Sequence, residues 1–113
     1  MARLTREEIL NAKDIEQEEV PVPQWGGDVL VQSLSGTKRA AIFKACMGKN
    51  GKMDSSKLYP MLMIDGVVDP QFTKADADAL NEKNSGALEI VAKAIMKLSG
   101  ISQDDVEEQE KNS

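Results

Sequence analysis

The segment Val20-Pro21-Val22-Pro23-Gln24-Trp25-Gly26-Gly27 constrains this chain more than any other. Each proline pushes the residue before it into extended geometry, so no helix passes through. Gly26-Gly27 supplies a turn able to take positive φ, and Asp28-Val29-Leu30-Val31-Gln32-Ser33-Leu34 reads as a strand behind it. Two extended runs flanking a glycine pair predict a β-hairpin, and the prolines assign its first arm to a sheet edge. Trp25, beside the turn, reads as a packing anchor, because large aromatics usually bury most of their surface.

The remaining periodicity is helical. Thr5-Arg6-Glu7-Glu8 has capping-box spacing and predicts a short helix from about Arg6 to about Lys13, with only Ile9 and Leu10 as an apolar edge. Ser35 caps a second, from about Thr37 to Met47. It places Ala40, Phe43 and Met47 on one face, Ile42 and Cys46 beside them, and Lys38, Arg39 and Lys44 outside. After the polar break Gly48-Lys49-Asn50-Gly51-Lys52, a third helix starts near Ser55 or Ser56 and carries Leu58, Tyr59, Met61, Leu62 and Ile64. Pro60 falls in its first turns, where a missing donor is tolerated best. Asp65-Gly66 closes it, and Val67-Val68-Asp69-Pro70 reads as a linker. Thr73 to Asp76 caps a short helix reaching about Asn81. The clearest helix runs from Ala87 to Ser99, with Leu88, Val91, Ile95 and Leu98 in one stripe, Glu89 and Lys93 paired, and Gly100 as terminator. The expected fold is mainly α, four to five short helices with one β-hairpin near the N-terminus, a small α+β single domain. Residues 1–19 form a short helix and acidic linker, 20–100 the hairpin and helical core, and 101–113 an acidic tail.

Inventory narrows function. The 113 residues include no histidine and a single cysteine. The commonest general base, the commonest metal ligand and any internal disulfide are therefore all missing. Cys46 lies among apolar helix residues and reads as a buried, inert thiol. Gly48-Lys49-Asn50-Gly51-Lys52 lacks the spacing of a phosphate loop and follows a helix, not a strand. Asp76 with Asp78, and Asp104 with Asp105, do not meet the calcium-loop pattern. No catalytic residue, cofactor or metal site is expected, and the chain is read as a non-enzyme.

The ends are more acidic than the net charge of -5 of the whole chain: residues 1–19 carry six acids against three bases, the last thirteen five acids against one base, and the middle is slightly basic. Acidic ends repel nucleic acid and anionic membrane surfaces, so neither is an expected partner. No apolar run approaches a membrane span or an export signal, and the expected compartment is the cytoplasm. With one Trp, one Tyr and two Phe, aliphatic and methionine side chains must do most of the packing. Met47, Met53, Met61, Met63 and Met96 are suited either to that core or to an adaptable apolar groove.

Read in order, several of these pieces resemble one family. They are Leu4-Thr5-Arg6-Glu7-Glu8-Ile9-Leu10, the Val-Pro-x-Trp-Gly-Gly element at 22–27 leading into Val29-Leu30-Val31 and Leu34-Ser35-Gly36, Phe72 before the capped helix, Leu80 and Lys83, and Leu98-Ser99-Gly100-Ile101-Ser102 before an acidic end. The chain resembles the tail assembly chaperones of long-tailed bacteriophages and related prophage elements. It departs from them at Thr37-Lys38-Arg39, where relatives often carry acid-arginine after the glycine.

The resemblance implies a non-enzymatic protein that coats the aggregation-prone tape measure protein in the bacterial host cytoplasm and is not expected in the finished virion. It also implies a frameshifted longer form that recruits the tail tube protein, and self-association is a further expectation. The groove for the partner is expected between Phe43 and Met47, the segment of Leu58, Met61 and Leu62, and the stripe of Leu88, Val91, Ile95 and Leu98; plain core is the competing reading of the same residues. Trp25, Gly26 and Gly27 are expected to be structural. Two other functions stand as alternatives: a tail or connector component retained in the virion, and a small regulatory nucleic-acid binder using Lys38, Arg39 and Lys44.

Overall fold

The computed structural model describes residues 2–102. Their elements follow as α1 (Arg6–Leu10), β1 (Gln17–Val22), β2 (Gly27–Gln32), α2 (Gly36–Cys46), α3 (Ser55–Gly66), β3 (Val67–Asp69), α4 (Ala77–Asn81) and α5 (Ser85–Leu98), with 3-10 turns at Pro23–Trp25 and Lys74–Asp76. This is a small α+β fold with its hairpin near the N-terminus. Of the expected 101–113 tail, residues 103 onward lie outside the described residues, whereas Ile101 packs into the core.

β1 and β2 pair antiparallel, with Val20 opposite Val29 and Val22 opposite Gly27. One further rung joins them, because Ser33 N–H donates to the Glu16 carbonyl (2.9 Å) and Glu16 N–H to Ser33 Oγ (3.0 Å). Val20, Val22, Val29 and Val31 are buried and alternate with more exposed neighbours, the period-2 pattern of a half-covered sheet. β1 is an edge strand, where prolines cost no ladder bond.

The turn differs from the expected Gly-Gly. Pro23 opens a 3-10 turn, and Gly26 takes φ +73° and donates its N–H to the carbonyls of Val22 and Pro23, both at 3.1 Å. Gly27 is already the first residue of β2. Proline's fixed φ suits the first position of such a turn, which moves the reversal toward Pro23.

A second correction concerns Val67–Asp69, expected as a linker. It forms β3 and pairs antiparallel with β2, Val31 opposite Val67, through an irregularity at Leu30/Val31. Three residues are too few for a periodicity signal; the free edge of β2 and the burial of Val67 make the strand. A third is the length of α1, which stops at Leu10 instead of Lys13. Its capping box is intact, with Glu8 N–H donating to Thr5 Oγ1 and Thr5 N–H to Glu8 Oε1, but it buries no residue. A helix this short without a packed face extends no further than its cap supports.

α3 begins on Asp54, whose carboxylate accepts from the Ser56 hydroxyl (2.6 Å) and backbone N–H (3.0 Å). Those two bonds hold the Asp54 carboxyl below its usual range. Pro60 lies inside the helix and cannot donate to the carbonyl of Ser56 four residues back. Asn81 Nδ2 on α4 donates to that carbonyl instead, at 2.9 Å. α4 is thereby attached to α3 at the point where α3 lacks a rung.

α5 starts at Ser85, two residues before the expected Ala87, because Asn84 Oδ1 accepts from Ala87 N–H (3.0 Å). Its end is a Schellman motif: Gly100 has φ +70°, Gly100 N–H donates to Lys97 O (3.2 Å) and Ile101 N–H to Met96 O (2.8 Å). Ile101 and Met96 are both buried there, the apolar contact that accompanies the motif. Ser99 joins this end to the strand–helix junction, its Oγ accepting from Leu34 N–H (2.8 Å) and donating to Ile95 O (2.7 Å).

α5 packs against α3 on one side and β1 and β2 on the other. The two helices approach tightly at Gly66, where a Cβ would stand 2.6 Å from Ile95 Cδ1 and 2.7 Å from its Cγ2. Only glycine lets α3 end this near α5.

Candidate functional site

Of the residues expected to line a partner groove, Phe43, Leu58, Leu62, Leu88, Val91 and Ile95 are buried, while Met47, Met61 and Leu98 are half-buried. The fold brings α2, α3 and α5 together, and in doing so it makes these side chains its own core. Most of them fill the space between the helices, and Phe43, Leu58 and Leu62 also line one small cleft. A cleft beside Phe43, rimmed by Leu34, Arg39 and Ile101, offers about 10 Å³ to a water-sized sphere. That is the lower limit for one ordered water, and apart from Arg39 its lining has no polar side chain to hold one. Trp25 is half-buried against the core, as an anchor for the hairpin turn.

The large apolar side chains that remain exposed lie elsewhere. Leu4, Ile9, Leu10 and Ile15 are 66%, 57%, 64% and 47% exposed, and every described residue up to Glu19 is exposed. The segment before β1 is an arm, rooted at the Glu16–Ser33 rung and lying off the body. Ile9 and Leu10 were legible as the apolar edge of a capped helix; Ile15 had no periodic partner to mark it. Around them stand Arg6, Glu7, Glu8, Lys13, Asp14 and Glu16, with one ion pair, Arg6 to Glu7 at 3.6 Å. Both partners are well exposed, so that contact adds little.

The outward face of α2 is the electrostatic counterpart. Lys38 and Lys44 are exposed, Arg39 is half-exposed with its guanidinium 5.6 Å from the Phe43 ring centroid, and α2 contains no acidic residue. Between the bases, Ala40, Ala41 and Ala45 are exposed as well. α2 therefore presents apolar side chains on both sides: Ile42, Phe43 and Cys46 inward, three alanine methyls outward.

Cys46 is fully buried, its Sγ 3.8 Å from Met61 Sδ. Burial first, and Asp54 second, push its thiol up to about 11 against a smaller opposing pull from Lys57. At neutral pH it is a protonated packing group, not a nucleophile. Among the described residues no three His, Cys, Asp or Glu side chains cluster to hold a metal ion, and no helix is long and apolar enough to cross a membrane. No protein-family model, curated protein or solved structure matches the chain.

Proposed function

We propose that this protein is a non-enzymatic tail assembly chaperone of a long-tailed bacteriophage or prophage element, binding and solubilising the tape measure protein while the tail tube is built. The ordered motifs supply the family, above all the Val-Pro-x-Trp-Gly-Gly hairpin. One physical observation supports the mode of action: among the described residues, the exposed large apolar side chains lie on an arm outside a body that buries most of its own. A coat for a long helical partner needs apolar contacts that are modest singly, repeated along the partner and easily released. Several copies on one partner then bind by avidity. A short amphipathic arm is suited to that use, and the arm replaces the α2–α3–α5 groove as the contact element, because most of that groove is core. A longer frameshifted form would add the recruitment of tail tube protein, and the site of action would be the host cytoplasm.

Co-expression with the tape measure protein of the same element tests the reading. The soluble fraction of that protein should rise several-fold with this chain and fall back with Ile9→Ser/Leu10→Ser. No gain in solubility from the unaltered chain overturns it. So does finding the chain in finished virions at fixed stoichiometry, the mark of a retained tail or connector part.

A further inference from the structure

We infer that, while no partner holds the arm, two copies of this chain exchange their N-terminal arms, each arm lying on the outward face of the other copy's α2. Four large apolar side chains on one short segment are uncovered in the single copy, an arrangement that water disfavours. The same copy carries a second uncovered element, the α2 face of Ala40, Ala41 and Ala45. Lys38, Ala41 and Ala45 follow at helical spacing, with Ala40 and Lys44 in the adjoining row, so the methyls of Ala41 and Ala45 lie between two ammonium groups and that of Ala40 just beyond Lys44. A strip of methyls lets another backbone approach closely, and the arm has the matching order of groups, Ile9 and Leu10 directly after Glu7 and Glu8.

Charge decides the occupant. The chain up to Glu19 holds six carboxylates against three bases, whereas α2 holds three bases and no acid. Among the described residues, Lys38, Arg39 and Lys44 make no ion pair. Two copies brought arm to α2 place unlike charges together at both contacts. Reach is sufficient: twelve residues span at most about 40 Å, and the eleven residues of α2 about 16 Å. The arm is rooted at Ser33, two residues before the α2 cap Ser35. Root and receiving face are therefore neighbours in each copy, and a reciprocal exchange closes as a two-fold dimer without leaving a free arm.

Sedimentation equilibrium of the full chain tests this without reference to any phage partner. The unaltered chain should show a concentration-dependent species of twice 12.3 kDa that weakens as salt is raised. Ile9→Glu/Leu10→Glu should weaken the dimer about a hundredfold or more with an unchanged far-UV spectrum, since neither side chain is part of the core. Lys38→Glu/Lys44→Glu should weaken it about tenfold, and mixing that variant with Glu7→Lys/Asp14→Lys should restore a mixed dimer. A monomer at millimolar concentration overturns the inference. So does a dimer indifferent to the arm substitutions, or one sensitive to the arm but indifferent to the α2 charge reversal. The first result would assign the arm to a partner other than this chain, and the last would assign it another face.

Discussion

α1 and α5 start alike and end differently. Each opens on a side-chain cap, Thr5 in one and Asn84 in the other, with bonds of 3.1 and 3.0 Å to the first turn. α1 stops after five residues and buries nothing, while α5 runs fourteen residues and buries Ala87, Leu88, Val91, Ala92, Ile95 and Met96. A cap thus selects where a helix begins, and a buried face determines how far it continues and whether the body depends on it.

The widest separation between the two regions should be chemical. Cys46 lies in the same core as α5, with its thiol raised to about 11. A cysteine placed on α1 by Ile9→Cys should react with a thiol reagent at pH 8 on the order of a thousandfold faster than Cys46. Equal rates would show that the body opens as readily as the arm. Ile95→Ala comes next, with a loss of about 2–5 kcal/mol in a denaturant melt, whereas Ile9→Ala should stay within about 0.5 kcal/mol. Gly66→Ala should lose about 1–3 kcal/mol by driving a methyl into Ile95. In the double variant with Ile95→Ala much of that loss should vanish, and strict additivity would deny the contact.

The sharpest comparison is also among the gentlest. Asn84→Ala should cost about 1 kcal/mol of global stability, while Thr5→Ala should leave the melt unchanged and only speed amide exchange within α1. Smallest of all is an acid effect at Asp54. Its carboxyl is held below the unfolded value, so its contribution is complete above that value and is lost as pH falls through the folded one. Asp54→Asn should remove a small part of the acid-side slope of stability; an unchanged slope would detach the cap from the titration.

What the sequence disclosed follows the same division. Caps and breakers are local signals, so Thr5, Ser35, Thr73, Pro21, Pro23 and Gly100 locate element starts and stops to within a few residues. The stripe Leu88, Val91, Ile95 and Leu98 located α5. β3 was illegible because Val67–Asp69 becomes a strand only beside the unpaired edge of β2, a relation between residues 31 and 67. Which apolar side chains the fold leaves uncovered was illegible for a related reason. Periodicity reports which side chains are apolar, but not whether the fold itself or a second chain covers them. Leu62 and Ile95 fit a groove or a core equally by their spacing and are interior, whereas Ile15 has no periodic partner and is exposed.

Pro60 couples α3 to α4 through the Ser56 carbonyl. An unbroken α3 would bring a backbone N–H to the Ser56 carbonyl, which the Asn81 amide would then have to share. Pro60→Ala would accordingly do two things at once, mending one helix and weakening one tether to its neighbour, so that a gain in local order would come with some slack between segments.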